Sequence, residues 1–310
     1  MAKNDRALDG VLLFDKPLEL SSNMALQKIR RLFSAQKAGH TGTLDPLATG
    51  LLPICFGEAT KFSSELLDAD KSYTAMLRLG QTTTTGDAEG EITSEHIVDF
   101  TQSDLDEVLM RFRGEIGQLP PMHSALKHQG KPLYEYIRKG ITIERQLRQV
   151  TIHELVVNSW SGNTMEISVR CSKGTYVRTL AEDIGAALGC GAHLTGLRRT
   201  AIAHFKLTDG YDLPQLTAMT DEARDSCLLP LVSLMPDMPK LALDAIQIKR
   251  LAQGQRLGLD TGLPDGKLAL YGPEGFVGTG FQQGRRIAPE RLLSNIARQA
   301  ASMELTGTVK

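Results

Sequence analysis

The sequence predicts an α+β protein, with a large domain of interleaved strands and helices followed by a small, strand-rich C-terminal domain. Three observations predict it. Residues 165–171 alternate with period two, Met165, Ile167, Val169 and Cys171 against Glu166, Ser168 and Arg170, which marks a half-buried strand. Other segments carry apolar residues at helical spacing. The 310-residue length suggests about two domains, and Pro214, Pro230, Pro236 and Pro239 crowd a weakly periodic stretch, 208–239, that reads as a junction. The expected domains are 1–235 and 236–310.

In chain order, GVLLFDKP reads as a short buried strand over residues 11–14, stopped by Pro17. SSNMALQKIRRLFSAQKAG is a helix. Its serines cap it, Ala25, Ile29, Leu32 and Phe33 share a face, and Gly39 closes it. The stretch 38–62 then lies in a loop, and KSYTAMLRLG opens a strand. SDLDEVLMRFRG is a helix capped by Ser103, with Leu105, Val108, Leu109 and Phe112 on one face and Gly114 at its end. TYVRTLAEDIGAALGCG is helical again, with Tyr176, Leu180, Ile184 and Leu188 aligned and Gly189 as the stop. Past the junction, IQIKRLAQGQRL is a short helix and KLALYGPEGFVGTGF a hairpin turning at GPEG.

Composition narrows the function. The formal net charge of −1 argues neither for nor against a polyanionic partner. Cys55, Cys171, Cys190 and Cys227 are too scattered for a disulfide framework or a zinc site and fit a reducing compartment. The charged start MAKNDRALDG lacks the apolar core of a signal peptide, and no uncharged apolar run reaches the ~18 residues of a membrane helix. A cytoplasmic, membrane-free protein is expected. Gly130-Lys131 and Gly266-Lys267 lack the upstream glycine of a phosphate-binding loop, HELVV lacks a second histidine, and no Gly-x-Ser-x-Gly elbow occurs. No nucleotide, metal or redox cofactor is expected.

Within AGHTGTLDPLATGLLPICFGEATKF the single early carboxylate is Asp45. Pro46 biases it towards extended geometry, and Gly39, Gly42 and Gly50 let a ligand approach the backbone. Such a carboxylate suits nucleophilic or orienting chemistry, although aspartate before proline also serves as a plain turn cap.

This stretch closely resembles the signature of the TruB-type tRNA pseudouridine synthases, which convert uridine 55 in the T-arm of tRNA. FDKP, KSYTAMLRLGQTTTTGDAEGE, CSKGTYVRTLAEDIG and GAHLTGLRRT resemble the family's remaining blocks in the family's order, spanning most of residues 10–205. The resemblance implies a mixed, largely antiparallel sheet flanked by helices. It also implies roles. Asp45 corresponds to the catalytic aspartate, Tyr73 to the tyrosine that stacks on the target base, and Arg178 to the arginine that pairs with the aspartate. His40 corresponds to the histidine packed against RNA where the base is flipped, Leu197 to an apolar pocket residue, and Lys16 with Pro17 to a supporting motif, so that His40, Lys16 and Leu197 are expected among the RNA-binding residues. Arg178 is expected to keep Asp45 ionised by lowering its pKa. Asp45 is the first candidate for the base that removes a proton late in the reaction, and the Tyr73 hydroxyl the second.

Residues 122–149 carry six cations against two carboxylates, a local excess of four, with Tyr134 and Tyr136 among them. Basic residues interleaved with aromatics suit a surface that grips a nucleic-acid backbone. The resemblance places here the family's inserted segment, about 120–150, which grips the T-arm, so Lys131, Arg138 and Lys139 are expected to bind RNA. The tail from about residue 240 resembles a PUA-like RNA-binding domain. A stand-alone tRNA uridine-55 synthase with no guide RNA or obligatory protein partner is therefore expected. The alternatives are a guide-RNA-dependent enzyme of the dyskerin type and a tRNA-folding RNA-binding protein.

Overall fold

The period-two alternation of residues 165–171 builds the middle of the molecule. In the computed structural model, which describes residues 6–296 except Ala125 and the side chain of Tyr134, the Thr164–Cys171 strand turns Met165, Ile167, Val169 and Cys171 into the core, each at most 2% exposed. The large sheet runs in the order Gly10–Lys16, Ala48–Phe56, Ala192–Ile202, Lys71–Leu79, Thr164–Cys171, Arg148–Ser161, Gly114–Gln118. Every pairing along this path is antiparallel except one. Ala192–Ile202 runs parallel to Ala48–Phe56, with Leu197 opposite Ala48 and Arg199 opposite Gly50.

The Ser22–Leu32 helix covers one end of the sheet and buries Ala25 and Ile29 against Leu52, Ile54 and Phe56. Helices Gln102–Arg111 and Val177–Ala187 cover the other end, over Leu77, Ile167 and Val169. Ala48–Phe56 is buried on both faces, Leu52 and Ile54 towards the first helix and Leu51 and Cys55 towards the opposite side. That double burial explains its unbroken apolar run, and it corrects the expected loop over 38–62. Residues 38–40 and 48–56 are strands, leaving only 41–47 as loop between them.

Two helix ends also differ from expectation. The first helix stops at Leu32, because Ser34 takes a left-handed backbone (φ 50°), and Gly39 lies in the following strand. The second begins with Thr101, not Ser103, since Thr101 and Asp104 form a reciprocal capping box. The 208–239 stretch holds the short helices Leu213–Ala218 and Asp221–Asp225, capped by Asp212 and Thr220, and its Leu216 and Cys227 join the core. One or two turns are too few to show a period, which is why the sequence reads there as a junction.

The second, five-stranded sheet runs Lys240–Ala242, Gly266–Gly272, Gly275–Gln283, Arg286–Leu292, Leu257–Gly258, with Ala245–Ala252 as the expected helix. It docks on the first through Phe276, edge-on to Phe62 at 5.5 Å, and through Lys61 Nζ, which donates to Leu292 O (2.9 Å) and Ser294 Oγ (2.8 Å). No helix among the described residues is long and apolar enough to cross a membrane.

Gly50 is where backbone freedom is indispensable. Its φ is +99°, and a Cβ there would stand 2.3 Å from the Arg199 carbonyl oxygen across the parallel pairing. Gly50→Ala should therefore cost more than the about 1–3 kcal/mol of left-handed strain alone. Urea denaturation checks this, and an unchanged midpoint would show that the two strands can part without loss.

Candidate active site

The 41–47 loop is tied down along most of its length. Thr41 N donates to Pro53 O (3.1 Å), and Glu19 N donates to Pro46 O (3.0 Å). The Ser22 hydroxyl accepts from Leu44 N (2.7 Å) and donates to Leu44 O (2.9 Å). This anchoring turns Leu44 inward, 3% exposed, and leaves the Asp45 side chain 55% exposed. Asp45 stands on a pocket of about 210 Å³ whose walls include Tyr73, Asp87, Tyr176, Arg178 and Leu197.

Arg178 sits in the first turn of Val177–Ala187. That helix start is held by Gln118, which accepts from Tyr176 N (3.0 Å) and donates to Tyr176 O (3.2 Å). The guanidinium, 9% exposed, bridges two carboxylates. Nη2 donates to Asp45 Oδ2 (2.8 Å) and to His123 O (3.1 Å), while Nη1 pairs with Asp87 Oδ2 (2.9 Å). Asp87 is itself buried, 2% exposed, and its other oxygen accepts from Thr85 Oγ1 (2.5 Å) and Glu89 N (3.1 Å).

The expected pairing of Asp45 with Arg178 is thus present and pulls the carboxyl's pKa down as expected, but the net shift goes the other way. Burial among the pocket walls pushes the Asp45 pKa above its ordinary value. Arg178 opposes this, Asp87 adds to it, and Lys16 opposes it. The physical reason is that Arg178 divides its charge between two acids while the walls withhold water.

Tyr73 projects from Lys71–Leu79 beside Leu197, and both line the pocket. Burial raises its pKa above the ordinary phenol value, with the nearby Arg199 guanidinium opposing the rise. A phenol held protonated is a poor base, so the second candidate for that role loses its chemistry.

Lys16 differs most from expectation. Placed among the RNA-binding residues by sequence, it is fully buried, and Nζ donates to Pro17 O (3.0 Å) and Leu20 O (2.6 Å). Burial lowers its pKa to about 8. It braces the chain beneath the pocket and offers no charge to a phosphate. His40 lies on Ala38–His40 opposite Ile54, outside the pocket wall. Burial, with Arg199 adding, lowers its pKa, and its Nδ1 is buried without a hydrogen-bond partner among the described residues. Lys131 is exposed on a small hairpin, and Arg138 and Lys139 are exposed in the turn just after the Leu133–Ile137 helix. They do not line the pocket, although His123 and Ser124 of the same segment do.

Sequence reasoning missed Asp87 and Arg199. Asp87 sits inside the 71–91 block, but nothing in linear spacing ties it to Arg178, 91 residues away by number. Arg199 had a usable signal, since period two on a strand puts it on the face of Leu197.

The comparisons with known proteins agree with this architecture. Residues 30–177 match the TruB family pseudouridylate synthase N-terminal domain, residues 178–235 the tRNA pseudouridylate synthase B C-terminal domain, and residues 239–293 the pseudouridine synthase II TruB C-terminal region. The class is therefore that of the pseudouridine synthases. A relative from Methylobacillus flagellatus named tRNA pseudouridine synthase B is 54% identical over 93% of this chain and 96% of its own. One of the same name from Chromobacterium violaceum is 53% identical over 95% and 97%. The chain belongs to the TruB family of pseudouridine synthases. Among solved structures, the crystal structure of a Cbf5-Nop10-Gar1 complex matches with a TM-score of 0.71 at 25% identity, over 92% of this chain and 85% of that one.

The raised Asp45 pKa carries a stability consequence. The native state binds more protons than the unfolded chain between the ordinary aspartate value of 3.8 and the raised one, so ionising Asp45 lowers stability as pH climbs through that window. Asp45→Asn removes the penalty, and Arg178 keeps its bond to Asp87. At neutral pH the variant should melt no lower than the parent, and any advantage should vanish as pH falls to 3.8 and below. Calorimetry across that range tests this, and a clearly lower Tm at pH 7 would contradict it.

Proposed function

We propose that this protein converts uridine 55 in the T-loop of tRNA to pseudouridine, with Asp45 as the attacking carboxylate and without a guide RNA. The observation that carries the reading is the Asp45 carboxylate, bonded to Arg178 at 2.8 Å and open to solvent, on a pocket walled by Tyr73 and Leu197. At about 210 Å³ the pocket is smaller than the roughly 300–1,000 Å³ of sites for drug-sized ligands. One everted pyrimidine suits that volume, with its sugar at the mouth. The Tyr73 ring beside the base supplies about 1–3 kcal/mol of stacking, which offsets part of the few kcal/mol that flipping costs.

The chemistry is an isomerisation. The bond from the sugar C1′ to N1 breaks, the uracil turns, a bond from C1′ to C5 forms, C5 loses a proton and N1 gains one. No atom or electron is added overall, so the reaction calls for no oxidant or reductant. An ionised carboxylate opens it in one of two ways, by bonding to the sugar carbon as in retaining glycosidases or by adding to the base. Either way the Asp45 carboxylate is regenerated beside C5, where it accepts the departing proton.

The tRNA substrate rests on relatives, about half of whose residues are shared with this chain, that are named tRNA pseudouridine synthase B. The guide-dependent reading has only the 25% likeness to a Cbf5 complex behind it. In our reading, residues 1–235 form the catalytic domain and residues 236–310 a PUA-like RNA-binding domain, in the cytoplasm. The exposed Lys131, Arg138 and Lys139 grip the T-arm backbone, so the net charge of −1 is no obstacle.

Unmodified tRNA incubated with the purified protein alone should acquire pseudouridine at the T-loop uridine, read by position-resolved mapping. Asp45→Asn should lower the rate by more than about 10³-fold while tRNA binding stays close to the parent's. Conversion that persists in this variant would rule out Asp45 as the attacking group. Replacing Lys131, Arg138 and Lys139 together by alanine should weaken binding and flatten its logarithmic salt dependence by about 0.9 for each duplex phosphate no longer neutralised. An unaltered slope would take this segment out of the RNA interface.

A further inference from the structure

Arg199 is the largest side chain in the interior, 1% exposed, and among the described residues no carboxylate lies within ion-pair distance of it. A buried cation without an acid is costly, and an apolar residue of similar size would fill the same space without that cost. Stability alone therefore gives no reason for a guanidinium here. Its hydrogen bonds suggest one. Nε donates to Leu51 O (2.7 Å) on the Ala48–Phe56 strand, and Nη2 donates to Gly42 O (2.9 Å) in the loop that carries Asp45. Across the antiparallel strand pairing Arg199 stands directly opposite Tyr73. Gly42 has a φ of +76°, and a Cβ there would lie 3.4 Å from Arg199 Nη1, so the loop backbone rests directly on the guanidinium.

Resting on the proposed roles of Asp45 and Tyr73, we infer that Arg199 is a positioning residue for the reaction, a single buried fork that fixes the spacing between the Asp45 loop and the Tyr73 ring. Other ties on the loop hold it to the first helix and to its own strand, through Ser22 and Pro53. Arg199 is the side chain that joins the loop to the tyrosine. Arginine suits the task because its planar head reaches two carbonyls on different segments at once while its strand position faces Tyr73. A lysine ammonium keeps the charge but not the fork. Arg199 touches no reacting atom, since its hydrogen bonds go to backbone carbonyls.

The test compares single-turnover conversion with tRNA affinity. In Arg199→Lys the rate at saturating enzyme should fall by about 10²-fold, the scale of a misplacement near 1 Å, while the Kd for tRNA stays within about twofold. Arg199→Ala should be slower still and should regain part of its rate with millimolar methylguanidinium. Circular dichroism and Tm above the assay temperature confirm that both variants are folded. A parental rate in Arg199→Lys overturns the inference. So does a loss that follows the folded fraction and is not relieved by methylguanidinium, since that marks a purely structural role. Asp45→Asn run alongside separates the two ideas. Conversion retained there means that the underlying reading of Asp45 has failed, whereas an inactive Asp45→Asn beside a normal Arg199→Lys defeats only the inference about Arg199.

Discussion

The Arg178 guanidinium, shared between Asp45 and Asp87, is the constraint on which the pocket depends. One of its acids is buried and fixed by Thr85 and Glu89, and the other is half open to solvent. The buried acid therefore sets where the cation stands, and the cation sets where the open acid stands. A forked, charge-assisted arrangement of this kind has a direction that a single point charge would lack. Because the cation is divided, neither acid receives all of its attraction. Asp45 ends with a pKa above the ordinary value, because burial outweighs the attraction of Arg178.

The rest of the fold serves that arrangement. Three of the large sheet's strands and one helix start converge there. Tyr73 and Leu197 come from neighbouring antiparallel strands, Asp45 from the loop before Ala48–Phe56, and Arg178 from a helix whose first turn is gripped by Gln118. Both faces of Ala48–Phe56 are buried, so the segment just past Asp45 has little freedom to shift. Rigid elements flank Asp45, and only a short loop presents it.

Much of this was legible in the sequence, for identifiable reasons. Thr164–Cys171 alternates because one of its faces is buried, and the long helices show their stripe because each covers the sheet with one side. Ala48–Phe56 reads as loop because double burial erases alternation, leaving an apolar run without a period. The helices between residues 213 and 225 are too short to repeat. Lys16 shows how far residue type can mislead. A lysine in a motif reads as a hand for phosphate, but this one spends its donors on Pro17 and Leu20 beneath the surface. Asp87 and Arg199 become visible only when the chain closes on itself, since their partners lie on distant segments.

The lone parallel pairing in the large sheet has a consequence for biosynthesis. Ala48–Phe56 needs Ala192–Ile202 beside it, and the contact from Arg199 to Leu51 spans 148 positions of chain. The Ser22–Leu32 helix, made earlier, can cover Leu52 and Ile54, but the Leu51 and Cys55 face waits for Ile202 and Phe205 to leave the ribosome. Such long-range closure is slow and leaves sticky surface uncovered meanwhile. The nascent polypeptide therefore lacks the Leu197 wall of the pocket, and is most in need of chaperone cover, for about the first two-thirds of its synthesis.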